Sequence, residues 1–95
     1  MKMTKHNYEI VEKASYLIDL YFHITDDDDI DIECSTDANG NIDTIAGHVD
    51  DYNNFTKEYV RHKICLSFDD DGSVHALHIR KEGVVVGKRK MWTNC

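Results

Sequence analysis

Apolar residues recur at three- and four-residue spacing near the start of the chain: Ile10, Val11, Ala14, Leu17, Ile18, Tyr21 and Phe22. They form one wide stripe, which predicts an amphipathic α-helix over residues 6–24. Glu9 and Lys13 stand on the other side as a favourable i,i+4 pair. Thr4 or Asn7 supplies the N-cap. The run Asp26–Asp29 is expected to end the helix, because four carboxylates would face the negative end of its dipole and repel one another.

From Ile30 the period changes from 3.6 to 2. Asn39-Gly40 suits a two-residue type I′ turn, in which both central residues take positive φ. Centring the turn there pairs Cys34 with Ile45, Ile32 with Gly47 and Ile30 with Val49, all on one face. The other face then carries Asp31 beside His48 and Glu33 beside Ala46. A slip of one residue would destroy this segregation. Residues 50–57 place Tyr52 and Phe55 at helical spacing, but their asparagines disfavour a helix, and a loop or single turn is expected. Asp71-Gly72 suits a second turn of the same type, pairing Leu66 with Leu77 and Ile64 with Ile79. Cys65 and His78 fall on the opposite face, with Lys63 and Arg80 beyond them. Glu82-Gly83 marks a third turn into Val84-Val85-Val86, with two registers open. The expected fold is α+β, a single domain over 1–95. One N-terminal helix packs on an antiparallel sheet of about five strands built from hairpins.

Ile, Val, Leu and Phe supply 23 of the 95 residues, enough for a shallow core. The apolar windows are short, so neither a membrane span nor a secretory leader is expected. Cys34, Cys65 and Cys95 are odd in number and lack C-x-x-C spacing, which fits a cytoplasmic, reducing compartment better than a disulfide framework. A formal net charge of −7 argues against direct nucleic-acid binding and against an anionic membrane as partner.

That charge is segregated along the chain. No Lys or Arg occurs from Ala14 to Thr56, a stretch of 43 residues holding eleven carboxylates. The residues from Lys57 onward carry eight cations and a small positive excess. Solubility accounts for acidic residues in general. Their isolation from cations has two readings, solubility and a negative surface built for a positive partner.

Several chemistries are weighed and set aside. His75 and His78 are three apart on a strand and point to opposite faces, so they do not share an ion. Cys65 and His78 make a cross-strand pair, but structural zinc wants four ligands. Asp37, Asn39, Asn41 and Asp43 have the spacing of an EF-hand opening. Ile42 stands where that loop needs glycine, and His48 where it needs a bidentate Glu. Asp26–Asp29 and Asp69–Asp71 are the acids a magnesium-dependent hydrolase would use, yet no lysine accompanies the first run. Cys34 is expected in the core, facing away from His48, which leaves no nucleophile–base pair. Lys88-Arg89-Lys90-Met91-Trp92 reads as a charged edge that blocks unwanted strand pairing. It also offers a strip for the acidic half of a second copy, a head-to-tail homodimer. No metal, cofactor or catalytic residue is assigned.

The expected function is that of a non-enzymatic inhibitor. Carboxylates of Asp26, Asp27, Asp28, Asp29, Asp31, Glu33, Asp37, Asp43, Asp50 and Asp51 would stand in for phosphates on a basic, nucleic-acid-binding protein. Small acidic single-domain proteins without a catalytic constellation include phage anti-defence factors, among them anti-CRISPR proteins and DNA mimics. The chain is similar to these in physical type and shares no motif with them. An immunity protein that neutralises a nuclease toxin has the same physics. A metal-dependent hydrolase and a structural or assembly module are the readings of other classes. Reversal of Asp27, Asp29, Asp31 and Glu33 to Lys is expected to abolish binding and spare the fold.

Overall fold

The structure, a computed structural model, describes residues 3–89. The helix α1 spans Lys5–Tyr21, followed by strands β1 (Ile30–Thr36), β2 (Ile42–Asn53), β3 (Glu58–Phe68) and β4 (Val74–Arg89). The strands form one antiparallel sheet in the order β1-β2-β3-β4, an uncrossed meander. α1 lies over β2 and β3. Ile10 and Ala14 pack with Ile42, Ile45, Leu66 and Phe68, and Ile18 and Phe22 pack with Val49 and Ile64. The apolar stripe of the sequence is therefore the buried face of the helix, and the fold is α+β.

Thr4 is the N-cap of α1, its hydroxyl accepting from the Asn7 N–H at 3.1 Å. Asn7 does different work. Its side chain is buried, donates to the Gly40 carbonyl at 3.0 Å, and accepts from the Ile42 N–H at 2.9 Å. Lys13 donates to the Gly72 carbonyl at 2.7 Å. One helix thus fastens both glycine turns, one through an amide and one through an ammonium.

The helix ends at Tyr21, earlier than the acidic run. Phe22 is extended. His23 donates its N–H to Asp51 and accepts from the Tyr52 N–H at 3.0 Å, so the end of β2 draws the chain out of the helix. Asp26–Asp29 then forms its own small element. Asp26 caps a single 3-10 turn, Asp27–Asp29, at whose N-terminus carboxylates are favoured.

The two hairpin registers match the sequence pattern. Cys34 pairs with Ile45, Ile32 with Gly47, Ile30 with Val49, Leu66 with Leu77 and Ile64 with Ile79. The turns that deliver them are of another type. Gly40 and Gly72 have φ of 81° and 85°, but Asn39 and Asp71 do not take positive φ, so neither turn is type I′. Each instead closes by an i→i+3 bond, Gly40 N–H to Asp37 and Gly72 N–H to Asp69, with glycine in the left-handed position. Such a turn is one residue out of step with the strands. A register shift absorbs the difference, after Ser35 in the first hairpin and after Ser67 in the second.

The sheet has four strands rather than about five. Residues 50–53 are not loop: they extend β2 to Asn53, and only 54–57 turn. The longer β3 that results offers a free edge from Glu58 to Arg61. β4 runs straight past Glu82-Gly83 to use it, pairing Val84 with Val60 and Arg89 with Glu58. Glu82-Gly83 is a bulge in one 16-residue strand, not a third turn. The long ladders make an elongated body of 50 × 25 × 19 Å.

Candidate functional site: the acidic edge

A meander turns sequence position into lateral position. The cation-free stretch becomes the second half of α1, the Asp27–Asp29 turn, β1 and β2. The cations of β3 and β4 (Arg61, Lys63, Arg80, Lys81) occupy the other side of the sheet. Segregation along the chain is thus retained in space, with β1 as an unpaired acidic edge.

The ten carboxylates named from the sequence do not all face outward. Asp29 is 1% exposed; its Oδ2 accepts from the Thr25 N–H at 2.8 Å, the Thr25 hydroxyl at 2.9 Å and the Asp26 N–H at 3.1 Å. Asp50 is 2% exposed and takes a two-pronged grip from its cross-strand partner Arg61, at 2.8 and 3.1 Å. The hydrogen-bonded Asp50 carboxylate holds the Arg61 guanidinium above its usual pKa. These two acids are parts of the fold, and the expectation that both lie on a binding surface is corrected. Reversal of Asp29 would break the 3-10 turn that it anchors.

Asp37 accepts from the N–H groups of Asn39 and Asn41 at 2.8 and 3.0 Å and so shapes the first turn, which accounts for the EF-hand-like spacing without an ion. Asp43 sits at the register shift of the first hairpin, half-buried. Asp51 is half-buried too, with one oxygen on the His23 N–H. The outward set is Asp26, Asp27 and Asp28 at the start of β1 and Asp31 and Glu33 along it, all exposed. Asp31 and Glu33 share the sheet face that α1 leaves open, two residues or about 6.6 Å apart along the strand. No salt bridge among the described residues involves Asp26, Asp27, Asp31 or Glu33.

Some of the open-face cations have acidic partners of their own, Asp50 for Arg61 and Glu82 for Arg80. Glu82, raised by its bulge, lies 3.1 Å from Arg80 and 3.0 Å from His48. The Arg80 hydrogen bond keeps the Glu82 carboxyl below its ordinary pKa. Asp69 pairs with His75 at 3.0 Å. Asp69, Asp70 and Asp71 form the second turn at the end of the sheet where α1 begins, opposite the end that holds Asp26–Asp28.

Cys34 is exposed rather than in the core, since it lies on the edge strand β1 while α1 packs over β2 and β3. Partial burial still pushes its thiol pKa up, so it gains no nucleophilic character. Cys34 and His48 lie on opposite faces, and Cys65 and His78 are cross-strand partners. Among the described residues no group of three or more His, Cys, Asp or Glu side chains is placed to hold a metal ion, and no helix is long and apolar enough to cross a membrane. Of the basic tail, Lys90, Met91 and Trp92 lie outside the described residues.

A second feature at the Asp26–Asp28 end was not legible beforehand. The end of α1, the end of β2 and the β2–β3 turn border a shallow, wide-open cleft of about 610 Å³, lined by aromatic rings and two carboxylates. Only the spacing of Tyr52 and Phe55 hinted at it, and that had suggested a turn. No protein-family model, curated protein or solved structure matches this chain.

Proposed function

We propose that this protein is a non-enzymatic inhibitor that binds a basic, nucleic-acid-binding protein through carboxylates presented along β1, in the manner of a nucleic-acid mimic. The observation that carries the reading is the exposed set Asp26, Asp27, Asp28, Asp31 and Glu33 at the start of the edge strand β1 and along it. Exposed carboxylates are accessible to the cations of a partner, and Arg–carboxylate contacts are among the stronger polar interactions. A one-sided field also speeds encounter with a target of opposite sign and makes the association salt-sensitive.

The test is capture of host proteins on the immobilised chain, followed by elution with duplex DNA or RNA and, separately, with salt. The expected result is a captured protein displaced by nucleic acid, and lost when Asp27→Lys, Asp31→Lys and Glu33→Lys are combined. These positions are exposed, and an unchanged melting temperature verifies that the variant is folded. Capture that nucleic acid does not displace, or that the triple variant retains, overturns the reading.

A further inference from the structure

The cleft beside the acidic edge combines features that the fold itself does not require. Phe55 is 97% exposed, an unusual position for a phenylalanine in a domain whose core is short of large apolar side chains. Its turn is nevertheless firmly built. Asn53 Oδ1 accepts from the N–H groups of Phe55 at 2.8 Å and Thr56 at 3.2 Å, the Asn53 carbonyl accepts from Lys57 at 2.8 Å, and Lys57 takes φ 61°. The ring is held out in water by a structured backbone and is not merely on a loose loop. Leu20 and Tyr21 face it from the end of α1, at 62% and 56% exposure.

Asp19 and Asp51 line the same cleft. Asp51 gives one oxygen to the His23 N–H; its other oxygen enters no hydrogen bond among the described residues. Among the described residues no Lys or Arg lines the cleft. Aromatic faces carry negative quadrupole potential, and carboxylates beside them select a cation with a flat, weakly hydrated body. A guanidinium meets both conditions: it stacks on a ring and donates to a carboxylate in the same pose.

We propose that this cleft receives an arginine side chain of the partner, stacked against Phe55 and Tyr21 and hydrogen-bonded to Asp51, with Asp19 adding charge. The inference rests on the reading that the partner is a basic protein, and adds to it a specific anchor point. The β1 edge would set salt dependence and encounter rate, and the cleft would set residence, since buried aromatic and arginine contacts dominate interface energetics.

The probe is N-acetyl-arginine methylamide, titrated into the isotope-labelled full chain and followed by amide chemical shifts at constant ionic strength. N-acetyl-glutamate methylamide is the control. Saturable shifts at Leu20–His23 and Asp51–Phe55 are expected with the arginine probe alone. Phe55→Ala and Asp51→Asn should each weaken binding about fivefold or more. Neither should unfold the chain, because Phe55 makes no buried contact and asparagine keeps the oxygen that accepts from His23. Shifts spread equally over Asp26–Glu33, or an unaltered affinity in Phe55→Ala, overturn the cleft.

The captured partner separates the two readings. Loss of binding on charge reversal with no effect of Phe55→Ala leaves the acidic edge and removes the cleft. Arginine-probe binding that Phe55→Ala weakens, together with capture that charge reversal does not change, keeps the cation site and removes the edge.

Discussion

Gly47 shows how one residue sets the spacing of a strand pair. It faces Ile32 across the β1–β2 ladder with φ 154°. A Cβ built there would lie 2.1 Å from the Asp31 carbonyl oxygen and 2.7 Å from the Ile32 Cα, both rigid backbone atoms. Gly47→Ala is therefore expected to push β1 away and to cost about 2–4 kcal/mol, a fall of roughly 10–25 °C in melting temperature for a domain this small. Urea denaturation measures it directly, and an unchanged midpoint would contradict the pairing of Ile32 with Gly47. The sequence placed Gly47 on the core face but gave no sign that β1 approaches it so closely, because that distance depends on how tightly two strands are drawn together. Asn7 is similar. Its place in the first helical turn suggested a cap, and only the packed sheet reveals that its amide serves Gly40 and Ile42, 33 and 35 residues away.

Among the elements, the hairpins were legible and the long extensions were not. The six apolar positions of β1 and β2 specify their register through face segregation alone, so the register holds although the turn type does not. Asp37 and Asp69 shift each turn by one residue, and the strand takes up the slack. The sequence reads 50–57 as a loop or single turn and Glu82-Gly83 as a turn, whereas β2 and β3 pair out to Asn53 and Glu58 and β4 continues past Glu82-Gly83 beside β3. The bulge that replaces the turn has its own signature. The depressed Glu82 pKa means that its pairing adds stability above its ordinary value of about 4.5, and this contribution is lost as pH falls through the lowered value. Wild-type melting temperature should thus exceed that of Glu82→Gln at neutral pH, and the two should converge once the pH has fallen below the lowered value. A gap that persists in acid would show that Glu82 acts by shape rather than charge.

At the scale of the whole molecule, two opposed electrostatic effects are at work. Asp50 is paired with Arg61, and the other ten carboxylates of the acidic half repel one another, while the cations of β3 and β4 attract them across the sheet. Since the uncrossed meander places most of the acids toward β1 and most of the cations toward β4, with Asp50–Arg61 as the ion pair where they meet, repulsion within the acidic half is expected to dominate. Added NaCl, from about 20 mM to about 500 mM, should then raise the melting temperature by a few degrees, as screening shortens from beyond 10 Å to a few ångströms. A fall over the same range would mean that attraction between the halves holds the sheet together. This measurement bears on function too, because only a surface with unrelieved repulsion has charge to offer a partner.

What the sequence by itself determined is whatever depends on neighbours in the chain: the buried stripe of α1, the faces and registers of both hairpins, and the separation of acidic from basic segments. Tertiary structure decided what depends on distant backbone meeting. It drew Asp29 and Asp50 inside, left Cys34 at an open edge, merged two expected strands into one, and assembled the cleft from α1, β2 and the Phe55 turn. The physical reason is range: side-chain periodicity is a local constraint, whereas burial and pairing depend on which free edge or uncovered face the rest of the fold leaves within reach.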